Sequence, residues 1–250
     1  MTETQWLECI SPELMLAYLG ERASSRKRRL FACACVRRIW PLLRDDRLRQ
    51  AVKVGERFAD GRVPMKILEK AQRLARRLRE EREAAELREA TWMARAARSA
   101  AQAVEALLWE PEPILKQPRD IREPPDVVSA TRTARAAARA AEAQRAQDES
   151  PRIEPIRRLH ALDAVELVRE IFGNPFRSVT LDPSWLCWKN NLIPKMARVI
   201  YRKRCFRNLS ILADVLEEAG CNDTAILSHC RAQVEHARGC WVVDVVLNRA

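Results

Sequence analysis

Between Pro64 and Pro111 the chain has no glycine or proline, and five prolines then fall within residues 111–126. Nothing in the first stretch interrupts a helical hydrogen-bond ladder, so one long helix is expected from Pro64 to about Trp109. Its first half is laced with i,i+4 charge pairs such as Glu69–Arg73 and Arg79–Glu83. Its second half carries the stripe Ala90, Ala94, Ala97, Ala101, Val104 and Leu108, and Val127, Ala130, Ala134, Ala137 and Ala141 repeat it beyond the prolines. Two alanine-faced helices joined by a proline-rich connector read as a closely approached antiparallel hairpin. Alanine buries little area, so the hairpin is expected to protrude as a less stable arm.

The rest of the chain is also helical in pattern. Six glycines in 250 residues are too few for a sandwich, a barrel or a Rossmann domain, which need many tight turns. No phosphate-binding glycine loop and no G-x-S-x-G elbow occurs. Ser11-Pro12-Glu13 is a helix start with Ser11 as N-cap, and Ser24-Ser25 opens an apolar helix from Arg26 to about Leu43. Asp45-Asp46 opens a third helix, closed by Asp60-Gly61. Helices follow at about 163–171, 191–204, 209–219 and 224–237, and residues 240–248 are apolar enough for a buried helix. The expected fold is all-α: a core built by residues 1–62 and 151–250, with residues 63–150 as the arm and 111–126 as its connector.

The stretch from Ile171 to Trp188 is the main irregularity. Gly173-Asn174-Pro175 stops a helix and turns, and Asp182 before Pro183 reads as the N-cap of a short helix. We expect a structural clasp made by Phe172, Asn174, Pro175, Phe176, Asp182, Trp185 and Trp188, with Leu181, closing the C-terminal helices against the apolar 30–40 helix.

Several segments together resemble a paralogous family of planctomycete proteins of unknown function. They are Trp6-Leu7, Arg28-Arg29-Leu30-Phe31-Ala32-Cys33-Ala34-Cys35 with Arg37-Arg38-Ile39-Trp40, Glu56-Arg57-Phe58-Ala59-Asp60-Gly61, the stretch Ile171 to Trp185, and Gly239-Cys240-Trp241-Val242-Val243-Asp244. Members of that family often have proline where Ser178 stands and a further cysteine where Val36 stands. The resemblance implies that the two ends of the chain pack together, with a variable middle. It implies no activity and supplies no catalytic residue.

Candidate chemistry is sparse. The histidine and cysteine set near the C-terminus, Cys221, His229, Cys230, His236 and Cys240, offers zinc-type ligands. His236 and Cys240 would lie one turn apart if helical. No C-x2-C pair supports the set, and buried apolar cysteines are the competing reading. A thiol nucleophile needs a base among His160, His229 and His236. Asp182, Asp244 and Glu166 are not forced together by their spacing.

Net charge is +11, with 45 basic residues against 34 acidic. Two basic clusters are candidate phosphate-binding surfaces. One includes Arg26, Lys27, Arg28, Arg29, Arg37 and Arg38 within residues 22–49, and the other is Arg198, Arg202, Lys203, Arg204 and Arg207. Solvated helix faces in an arginine-rich proteome are the plainer reading. No apolar run is long enough to span a bilayer and no secretory leader is evident, so a cytoplasmic protein off the membrane is expected. The leading functional expectation is a non-enzymatic adaptor that binds another protein and uses no cofactor. The alternatives are nucleic-acid binding through the basic clusters and a small zinc-binding or thiol-dependent enzyme.

Overall fold

The computed structural model describes residues 1–89, 92–108, 132–133, 136–137, 139 and 153–249; side chains at 87–89, 92–93 and 153–162 are outside the description. The described residues are all-α, with no strand among them. Eleven helices follow in order: α1 Glu3–Glu8, α2 Pro12–Leu19, α3 Ser25–Arg38, α4 Asp46–Ala59, α5 Met65–Glu89, α6 Trp92–Leu108, α7 Ile153–Phe172, α8 Pro183–Lys203, α9 Leu209–Glu218, α10 Thr224–Arg231 and α11 Trp241–Val246. No described helix is long and apolar enough to cross a membrane.

The helix starts follow the expected capping chemistry. The side chains of Ser11, Ser24, Asp45, Asp182 and Asp223 each accept a backbone N–H in the first turn of α2, α3, α4, α8 and α10. These bonds satisfy amides that have no partner within the helix.

Two compact units divide the chain, Met1–Val168 and Arg169–Ala250. The expected boundaries at 62 and 150 both lie within the first of these units. The long helix expected from Pro64 to Trp109 is instead two helices, α5 and α6, lying antiparallel. Ion pairs set their register: Glu105 takes Arg76 at 3.1 Å and Arg79 at 2.6 Å, and Glu86 takes Arg95 and Arg98. No breaker residue marks the reversal, so the sequence pattern ran straight through it.

Nor does the alanine stripe of α6 project as an arm. Ala94, Ala101, Val104 and Leu108 are buried, and so are Ala96, Ala100, Ala103 and Leu107 on a neighbouring face. α6 packs on α5, α4 and α3 together. Of its expected hairpin partner at 127–141, only 132–133, 136–137 and 139 are described, so that pairing lies outside the description.

Gly55 explains how α4 and α6 approach so closely. A Cβ built on it would stand 2.7 Å from Leu107 Cδ1 and 3.4 Å from Leu108 Cδ2. Nearby, the Arg29 guanidinium donates to the Leu107 carbonyl at 2.7 Å, across a sequence separation of 78 residues.

The Arg169–Ala250 unit has its own core. Ile193, Ala197, Ile200 and Tyr201 of α8 meet Leu209, Leu212 and Leu216 of α9, Ile226 of α10 and Val242, Val243 and Val246 of α11. α8 is two segments: Lys189, Asn190 and Asn191 adopt left-handed backbone, with φ of 42°, 60° and 59°. Asparagine tolerates that region, and lysine does so at a cost of about 1 kcal/mol. Pro194 then falls in the first turn of the second segment, where a missing N–H costs nothing.

Gly55→Ala tests the close approach. Helix propensity alone would stabilise α4 by about 1 kcal/mol. Overpacking against a buried Leu107 costs about 1–3 kcal/mol, so the variant is expected to melt at a lower temperature. A higher melting temperature would show that α6 yields at this contact.

Candidate metal centre

The chemistry-bearing side chains of the C-terminal unit converge on one buried cluster. Glu170 comes from the last turn of α7, His229 from the last turn of α10, His236 from the irregular segment 232–240, and Cys240 is the N-cap residue of α11. One ligand atom from each of these four residues lies within 4.8 Å of those of the others.

The Glu170 carboxylate is at the middle. Its Oε2 stands 3.0 Å from His236 Nδ1 and 3.3 Å from His229 Nε2, and its Oε1 accepts the Ala237 N–H at 3.2 Å. His229 Nε2 is also 3.2 Å from Cys240 Sγ. Side-chain exposure is 16% for His229, 6% for Glu170 and 5% for His236, and Cys240 is wholly buried. Two further contacts frame the imidazoles. Their ring centroids lie 5.0 Å apart in an edge-to-face arrangement, and the Trp241 indole N–H donates to His229 Nδ1 at 3.1 Å.

Burial dominates the electrostatics. It holds His229 down from 6.5 to about 4, against the pull of Glu170, so the ring is neutral at pH 7. It raises the Cys240 thiol well above its usual range, with the Glu170 carboxylate adding to the effect. Cys230 and Cys35 are pushed up to about 12 by burial, and Cys221 is raised too. Each of these shifts opposes nucleophilic use of the thiol, which requires thiolate.

One atom has no place in this network. Once His236 Nδ1 faces Glu170, its Nε2 is buried with no hydrogen-bond partner among the described residues. Buried polar atoms without partners are uncommon and costly.

The set fits a borderline metal such as zinc. Two imidazoles, a thiolate and a carboxylate are zinc ligands, whereas magnesium and calcium take oxygen. Around tetrahedral zinc, neighbouring ligand atoms stand about 3.3–3.6 Å apart; the contacts at His229 Nε2 are 3.2 and 3.3 Å. Two neutral imidazoles, one carboxylate and one thiolate carry two negative charges, which a dication cancels in the protein interior.

The structure thus takes His229, His236 and Cys240 from the expected set and adds Glu170. Cys221 and Cys230 pack in the same apolar core as Cys240 but fall outside the four-residue cluster. α10 ends at Arg231 rather than near residue 237, so His236 and Cys240 are brought together by an irregular segment, not by a helical turn. Glu166 and Asp182 are exposed and Asp244 is buried. The side chain of His160 lies outside the described residues.

The clasp is corrected in part. Asp182 caps α8, Asn174 accepts the Phe176 N–H at 3.0 Å, and Trp185 packs on the core of this unit with Leu181. Phe176 is 36% exposed, however, and Phe172, Pro175 and Trp188 are only part-buried. The stretch is a surface-lying strap whose working residue is Gly173. At φ 68°, its position would bring a Cβ within 3.2 Å of the Trp241 ring, so only glycine lets the indole lie there.

The first basic cluster is largely structural. Arg28 and Arg29 are buried and donate to the Gly20 and Leu107 carbonyls. Arg37 forms a bidentate pair with buried Glu56 at 3.0 Å for both bonds, and Arg26 reaches Asp60. Lys27 and Arg38 are part-buried. In the second cluster Arg198, Arg202, Lys203 and Arg207 are exposed, and part-buried Arg204 ends α8 in a left-handed conformation.

No protein-family model, curated protein or solved structure matches this chain.

Removing the central carboxylate should be costly even without metal. Glu170→Ala leaves the Ala237 amide and the His236 Nδ1–H without an acceptor, a loss of about 3 kcal/mol. Urea unfolding of the 250-residue chain would measure it. A loss below about 1 kcal/mol would mean that the cluster does not hold the 232–240 segment.

Proposed function

We propose that the Arg169–Ala250 unit is a metal-binding module and that its ion is zinc, held by His229, His236 and Cys240 with the Glu170 carboxylate. The observation that carries this reading is the buried convergence of four zinc-type side chains from separate segments of the chain.

The role that fits is structural. Catalytic zinc sites keep a coordination position open to water or substrate, while structural sites are closed by four protein ligands. Here four protein donors are available in a largely dry environment. The ion would join α7, α10, the 232–240 segment and the start of α11. That segment has no regular secondary structure of its own, and its anchors include the Ala237 N–H on Glu170, the Arg238 guanidinium on the Tyr201 carbonyl at 3.1 Å, and the Cys240 N–H on the Ala237 carbonyl at 3.0 Å. Such a module works through the surface that the ion stabilises, in keeping with a non-enzymatic binding protein.

Elemental analysis of the purified chain should find one zinc per molecule. His236→Ala and Cys240→Ala should lose it, and Cys221→Ala should retain it. Zinc removal by a chelator should lower the melting temperature of the wild type and leave the His236→Ala variant unchanged. A wild-type chain that takes up no zinc, or a Cys221→Ala variant that loses it equally, would contradict the assignment.

A further inference from the structure

Metal sites in proteins normally hold a ligating histidine from behind: the ring nitrogen not on the metal donates its N–H to a carboxylate, a carbonyl or water. His229 departs from that rule. Its Nδ1 is approached at 3.1 Å by the indole N–H of Trp241, a group that donates and cannot accept. Nδ1 must therefore present its lone pair, and the neutral ring carries its proton on Nε2. Nε2 is the atom that faces Cys240 Sγ and Glu170 Oε2, where a metal would bind.

From this geometry we infer that Trp241 restrains metal loading by holding His229 in the tautomer that cannot ligate; the inference rests on the metal-binding reading above. Loading forms a bond between the metal and His229 Nε2 and breaks the Nε2–H bond. That proton leaves to water, and a proton from water protonates Nδ1, so the ring stays neutral. Cys240 gives up its thiol proton to solvent. The new Nδ1–H then confronts the Trp241 N–H, and the indole must leave that hydrogen bond.

Three features place Trp241 for this role. Gly173 gives its ring a seat that a Cβ would crowd, the ring lies tilted with its centroid 5.1 Å from that of His229, and Cys240 is its chain neighbour. Removing an outer hydrogen-bond partner ordinarily weakens metal binding. Removing this one should strengthen it.

The test is zinc affinity of the whole chain, measured by competition with a chromophoric chelator, for wild type and Trp241→Phe. Phenylalanine keeps an aromatic ring over Gly173 and removes the N–H donor together with the second ring of the indole. Trp241→Phe is expected to bind zinc roughly three- to tenfold more tightly, the size of one net hydrogen bond. A second readout uses the unaltered protein. The indole N–H resonance absent from the Trp241→Phe spectrum should move away from its hydrogen-bonded position in wild type as one equivalent of zinc is added. Should the variant fail to fold, that resonance decides alone. Equal or weaker binding by Trp241→Phe, or an indole resonance unmoved by bound zinc, overturns the inference and leaves the metal site standing. A wild type that binds no zinc overturns the site itself.

Discussion

The C-terminal unit depends on one buried carboxylate. Glu170 lies in the interior with no lysine or arginine ion pair among the described residues, and its two oxygens instead meet two imidazoles and a backbone amide. An ionised carboxylate out of water is costly unless its charge is compensated. Compensation by hydrogen bonds alone fixes the 232–240 segment through Ala237 and His236. Compensation by a dication would do the same more strongly. The side chains that suit the second arrangement are already assembled by the first.

The N-terminal unit uses its charges differently. There the excess of arginine is turned inward: Arg29 reaches the Leu107 carbonyl, Arg37 pairs with buried Glu56 while stacking 4.1 Å from the Trp40 ring, and Arg26 takes Asp60. Arginine suits these positions because its planar fork satisfies carbonyls and carboxylates at fixed angles and its face packs on aromatic rings. Net charge thus says little about phosphate binding when much of it is spent on internal contacts.

The all-α class and many helix starts are legible in the residues, because capping side chains act within three residues of themselves. The α5–α6 reversal is not, since Ala90 and Thr91 carry no breaking chemistry and the register comes from ion pairs between residues far apart, such as Arg79 and Glu105. The metal cluster is half legible. His229, His236 and Cys240 stand out because histidine and cysteine are scarce. Glu170 is hidden: it is one acid among 34 acidic residues, 59 positions before the nearest partner histidine, and only the fold brings it there. The clasp reading missed one residue for a related reason. Aromatic content marked the 171–188 stretch as important, yet its contribution comes from Gly173, whose absent side chain makes room for Trp241.

The coordination shell itself gives the most direct test. Zinc X-ray absorption of the loaded chain should show a single sulfur at about 2.3 Å and nitrogen or oxygen neighbours at about 2.0–2.2 Å. That pattern belongs to Cys240 with the two histidines and Glu170. A second sulfur would bring in Cys221 or Cys230, which the structure places in the apolar core, and a sulfur-free shell would put the metal elsewhere. Either result would contradict the assignment.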